Sequence, residues 1–125
     1  MESNFNYQLR LLKIPVTNVD VSSQFYAEHL GLTVDFAAEE YGWAQLSSGD
    51  FSMALYVPGM GGGDGKIGGS VDFHLSLPGE TFDTLANGLL EKGHLSEGMI
   101  HTGNDGSTFV DMLDPDGNIL KVMKR

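Results

Sequence analysis

Residues Leu11 to Val16 read as a strand that runs straight into a capped helix, N-V-D-V-S-S-Q-F-Y-A-E-H-L from Asn18 to Leu30, closed by Gly31. The same order returns in the second half, where Val71 to Leu77 precedes P-G-E-T-F-D-T-L-A-N-G-L-L-E-K-G. Two strand-to-helix units in so short a chain imply an internal duplication, because each unit has an apolar face that must be buried against something. The functional surface is expected where the two copies meet.

The local patterns extend both copies. In the first strand Leu12, Ile14 and Val16 share one face, and Leu11, Lys13 and Pro15 the other. Asn18 is placed to cap the helix, and Asp20 in its first turn suits the helix dipole. Val21, Phe25, Tyr26 and Leu30 form the predicted apolar stripe. Three strands follow, over Thr33–Ala37, Trp43–Leu46 and Phe51–Val57, parted by Tyr41-Gly42 and Ser48-Gly49-Asp50. In the second copy the predicted helix is Thr81–Lys92, ending at Gly93. Strands are expected over Leu95–Thr102, Ser107–Leu113 and Ile119–Met123, with turns at Gly103–Gly106 and Asp114–Asn118. Each half is therefore βαβββ.

With 125 residues there is chain for one domain and one core. No apolar run approaches a membrane span, and the N-terminus does not resemble a signal peptide. The chain has no cysteine, which removes disulfides, thiol nucleophiles and thiolate metal sites and fits a cytoplasmic setting. A net charge of −10 argues against nucleic acid and anionic membranes as partners and favours cationic ones.

Between the copies, Pro58 to Ser70 holds seven glycines in thirteen residues and reads as a linker. Gly63-Asp64-Gly65-Lys66-Ile67-Gly68 matches the glycine spacing of a dinucleotide-binding turn. A strand rather than a helix is expected after it, so a phosphate would find no helix N-terminus. The domain organisation is thus one unit over 1–125: a first module at 8–57, the glycine-rich linker at 58–70 and a second module at 71–124.

The repeat, the spacing of Phe25-Tyr26 and Leu30-Gly31-Leu32, and D-P-D-G-N at 114–118 together resemble the vicinal oxygen chelate superfamily. Glyoxalase I, extradiol dioxygenases and bleomycin-resistance proteins belong to it. The resemblance implies an α+β fold in which two βαβββ modules curve their mixed sheets into a cup, usually in a homodimer. It also implies a metal held by one side chain from the first and one from the last strand of each module. On this sequence those positions are Leu11, Ala54, Asp72 and Lys121. Leu and Ala offer no lone pair and an ammonium repels a cation, so the inherited metal site is expected to be lost and no cofactor is expected. Asp72 and Lys121 are expected to be neighbours and to form an ion pair.

Strand alternation gives the ligand-binding candidates Lys13, Trp43, Ser52, Tyr56, Asp72, His74, Ser76, Phe109, Asp111 and Lys121, with Ala54, Gln45 and Met123 beside them. Of the histidines, His29 and His94 are expected at the surface, His74 shares the inward face with Asp72, and the facing of His101 is open. Two functions follow as expectations. The first is a metal-free protein that binds a small cationic or aromatic molecule, similar to the bleomycin-resistance branch. The second is a lyase, isomerase or dioxygenase of the same fold. It would use a displaced metal site or His/Asp acid–base chemistry, with His74 and Asp72 as catalytic candidates.

Overall fold

A computed structural model describes residue 5 and residues 7–125 apart from 96; the side chains at 70–73 and 97 lie outside the described residues. The order is β1 (Leu12–Pro15), α1 (Val19–Leu30), β2 (Thr33–Ala38), β3 (Trp43–Ser48), β4 (Phe51–Tyr56), β5 (Ser70–Leu77), α2 (Gly79–Glu91), β6 (Ile100–Thr102), β7 (Thr108–Leu113) and β8 (Ile119–Lys124). These strands make two four-stranded mixed sheets, ordered β1-β4-β3-β2 and β5-β8-β7-β6. In each sheet the first and last strands of a module pair in parallel, and the other contacts are antiparallel. The duplicated βαβββ architecture is as the sequence predicts.

Helix α1 starts where the sequence places it, because the Asn18 side chain accepts a 3.0 Å hydrogen bond from the Val21 amide. Gly31 ends it in the left-handed conformation at φ 72°, which suits a residue without Cβ. The buried face differs from the expected stripe. Val19, Ser22, Ser23, Phe25 and Tyr26 point inward, whereas Val21 is 54% exposed. Small serines let the helix lie close to the sheets, so the inward arc begins at Val19. Helix α2 begins two residues before the predicted start, and β6 is shorter than expected because a 3₁₀ turn at Glu97–Met99 takes up its first part.

One hydrophobic cluster joins the modules. It takes Ile14, Met53 and Leu55 from the first sheet, Phe25 and Tyr26 from α1, Phe82 and Leu89 from α2, and Val110 and Leu120 from the second sheet. The helices and one face of each sheet thus share one core, and the opposite faces carry most of the predicted site residues.

D-P-D-G-N is more than the β7–β8 turn. Asp114, 6% exposed, accepts from the Tyr26 hydroxyl at 2.8 Å and the Asn118 side-chain amide at 2.9 Å through Oδ2. Its Oδ1 accepts from the backbone amides of Asp116 and Asn118, each at 2.9 Å. Asp116 reaches the first module and accepts from the Thr17 amide at 3.0 Å, and Asn118 donates to the Pro15 carbonyl at 2.8 Å. The turn of the second module therefore fastens the strand-to-helix junction of the first. Burial together with the Asp114 charge pushes the Tyr26 phenol far above its ordinary range.

Candidate functional site

The register sorts the predicted site residues into two surfaces. In the first sheet Gln45, Ala54 and Lys13 stand side by side across β3, β4 and β1, and Trp43, Tyr56 and Pro15 form the next row. Ser52 lies beside Ser47 at the other end. In the second sheet one row is His74, Lys121 and Asp111; the next is Ser76, Met123, Phe109 and His101. Lys13, Trp43, Ser52 and Tyr56 therefore belong to one outer face, and His74, Ser76, Phe109, Asp111 and Lys121 to the other. The side chain of Asp72 lies outside the described residues, so its expected ion pair with Lys121 lies there too.

On the second sheet the Lys121 ammonium sits 4.5 Å from the centroid of Phe109, a cation–π contact. His101 Nε2 is 3.2 Å from Asp111 Oδ2, and the His101 ring lies 5.1 Å from that of Phe109. The ring of Phe109 thus has an ammonium and an imidazole as neighbours, and a carboxylate holds the imidazole. Sequence alternation includes Phe109, Asp111 and Lys121 but leaves His101 open. The missing signal is pairing: His101 joins the group because β6 lies against β7 with His101 opposite Phe109.

His74 is exposed and its strand is the edge of the second sheet. With Ser76 it also lines a cleft of about 540 Å³ at the seam of the modules, walled by Leu30, Leu32 and Phe51 and bounded by Asp50 and Arg125. That volume lies within the usual range for small-molecule sites.

The residues do not suit the metal that the fold suggests. Leu11 precedes β1, and the strand residue opposite Ala54 is Lys13; on the second sheet Lys121 stands opposite His74. A methyl group, two ammonium groups and a single imidazole give a divalent ion no cage, and Lys121 is already engaged with Phe109. Among the described residues no three His, Asp or Glu side chains gather closely enough to hold a metal ion.

One sequence expectation needs correction. His29 and His94 are not independent surface groups. Their rings lie 4.3 Å apart, both pack on Phe25, and the His29 side chain is only 9% exposed. The end of α1 and the turn after α2 converge there, a tertiary contact that no local pattern encodes. The glycine-rich segment joins β4 to β5 as the sequence predicts, and it does more. It lies against the first sheet, where the Lys13 ammonium donates to the Gly62 carbonyl at 2.6 Å and the Gly65 amide donates to the Tyr56 hydroxyl at 3.0 Å. As predicted, a strand follows it rather than a helix.

Two βαβββ modules, each a helix with a four-stranded mixed sheet, define the class of fold. The chain belongs to the Glyoxalase/Bleomycin resistance protein/Dioxygenase superfamily, whose sequence profile it matches over residues 8–122. It is similar in structure to lactoylglutathione lyase from Agrobacterium tumefaciens, with 17% identity, a TM-score of 0.80, and coverage of 95% of this chain and 94% of that one. It is also similar to an integron cassette protein from the mobile metagenome of the Halifax Harbour sewage outfall, at 20% identity and TM-score 0.71 over 94% and 98% of the two chains. A glyoxalase-related enzyme from Fulvimarina pelagi aligns at 18% identity and TM-score 0.70 over 94% and 88%. No curated protein matches the chain. At these identities the structural likeness speaks for the fold alone. No helix among the described residues is long and apolar enough to cross a membrane.

Proposed function

We propose that this protein binds a small aromatic or cationic organic molecule without a metal, using the outer face of the second sheet where it continues into the seam cleft. The observation that carries this reading is Phe109, bordered by Lys121 at 4.5 Å and by the His101–Asp111 pair at 3.2 Å. An aromatic plane with a cation, a carboxylate and an imidazole around it offers stacking and directional hydrogen bonds together. The net charge of −10 favours cationic ligands on approach. Binding alone, as in sequestration of a toxic compound, needs none of the lost metal ligands.

The His101–Asp111 contact supports a second reading, in which the same face carries out acid–base chemistry of the lyase, isomerase or dioxygenase kind. A carboxylate that fixes the ring lets the imidazole exchange a proton at its other nitrogen. His74, across Lys121 in the same row, would be the second proton-transfer group. A cytoplasmic homodimer fits both readings. Phe36 and Tyr41 are 49% and 68% exposed on the first module, apolar surface that a second copy would cover.

Calorimetric titration with a panel of cationic and neutral aromatic compounds tests the first reading. Binding that disappears in Phe109→Ala supports it, and a panel silent with the wild-type protein sinks it. Turnover that vanishes in His101→Ala while ligand affinity persists would establish the second.

A further inference from the structure

The glycine-rich segment treats the first sheet as a ligand would. Its Gly62 carbonyl takes the Lys13 ammonium at 2.6 Å, and that ammonium also lies 5.3 Å from the centroid of Tyr56. Its Gly65 amide donates to the Tyr56 hydroxyl at 3.0 Å. The backbone runs flat over the aromatic rings: a Cβ added at Gly62 would come within 2.9 Å of Trp43 Cε3, and one at Gly63 within 2.9 Å of Tyr56 Cε2. A Cβ at Gly65 would collide with the Tyr56 hydroxyl. Under this cover Tyr56 is only 6% exposed.

The cover is lightly held. Residues 61–65 are Gly, Gly, Gly, Asp and Gly, so its centre brings almost no apolar side chain to the core. Two side-chain hydrogen bonds hold its middle to the sheet, one between the Gly59 amide and the Gly63 carbonyl at 3.2 Å lies within it, and the half-exposed Met60 rests against Gly42 at its near end. Its far end is tied down separately, by the Gly68 amide on Asn118 Oδ1 at 2.9 Å. A segment anchored at its end and bound in the middle by a few hydrogen bonds opens without unfolding the domain.

We infer that residues 59–65 are a built-in competitor, a displaceable cover that yields the Lys13–Trp43–Tyr56 surface to a flat ligand bearing an acyl oxygen. Such a ligand replaces the Gly62 carbonyl on Lys13 and the glycine backbone on the rings. The inference rests on the reading of these sheet faces as ligand surfaces. It concerns the first sheet, however, and is read at Trp43 rather than at Phe109.

Trp43 is the only tryptophan in the chain, so its emission reports the cover directly. Gly62 and Gly65 are free of positive φ, so alanine at either acts through its collision with the rings. In Gly62→Ala/Gly65→Ala the Trp43 emission should shift to the red and acrylamide quenching should rise, with unchanged far-ultraviolet circular dichroism. Benzamide and benzoate, followed by chemical-shift perturbation, should bind this variant about tenfold or more tighter than wild type, the factor set by removing a closed state. A folded variant with unaltered quenching, or one that binds both probes no better than wild type, overturns the inference. If the variant fails to fold, amide exchange on the wild-type protein decides. Exchange of residues 59–65 far faster than that of β4 supports a cover that opens, and protection equal to that of β4 overturns it.

Discussion

The Tyr26 hydroxyl donates to Asp114 Oδ2 at 2.8 Å, a buried bond between residues 88 apart in sequence that joins the first helix to the last turn. Asp114 also holds its own turn with three further hydrogen bonds, so one carboxylate sets both a hairpin and the alignment of the modules.

Tyr26→Phe keeps the ring and removes that donor. Because the bond is to a charged acceptor and the pair is buried, the variant should lose about 1.5–3 kcal/mol. Urea unfolding checks this, and a change below experimental error would show that the remaining donors suffice for Asp114.

The His29–His94 contact makes stability depend on pH. Burial first, then the neighbouring His94 and Lys92, hold the His29 imidazole below its ordinary value, while Glu28 opposes them weakly from 3.8 Å. The folded state therefore binds a proton at His29 less readily than the unfolded chain does. This contribution is fully present above the unfolded value near 6.5 and is lost as pH falls below it. His29→Gln should flatten the fall in melting temperature between neutral and mildly acidic pH; a slope equal to wild type would refute the assignment.

With Lys13, Ala54 and Lys121 beside His74 at the sheet positions where a metal would sit, one imidazole is too little to hold an ion and purified protein should carry almost none. Elemental mass spectrometry on untagged protein made without chelators measures this directly. Zinc, manganese, iron and nickel should leave the melting temperature unchanged, since only a ligand that prefers the folded state raises it. A metal held near one per chain would locate a site that these residues do not form.

Gly31→Ala tests a purely local feature. The residue sits at φ 72° with open space around its Cβ position, so the penalty is conformational rather than steric. The expected loss is about 1 kcal/mol. Chemical denaturation of this single variant is the measurement.

The fold was legible because its signals are local. Asn18, Gly31 and Gly93 mark helix ends, and alternation assigns Ile14 and Lys13 to opposite faces whatever else the chain does. The duplicated order then leaves little freedom in topology. The candidate site was legible only as one list of residues at alternating strand positions, which the strand register divides between two sheets. Local pattern could not reveal that Lys121 rests on Phe109, that His101 reaches Asp111, or that His29 meets His94. Each of these contacts depends on how separate strands or helices come together. The packing of the glycine segment stays hidden for a related reason. An absence of side chains looks like slack in a sequence, yet here it permits close approach to Trp43 and Tyr56.

The turn at the end of the chain has a consequence for how the protein is made. Thr17 finds its partner Asp116 a full 99 residues later. Until those late residues leave the ribosome, the first module can pack its helix on its own sheet, but Thr17 and the Tyr26 hydroxyl lack their partners and Phe25 lacks His94. The first module alone thus leaves bare the part of its core that the second module covers. Truncation just before Asp114 should yield an aggregating fragment rather than a smaller working domain.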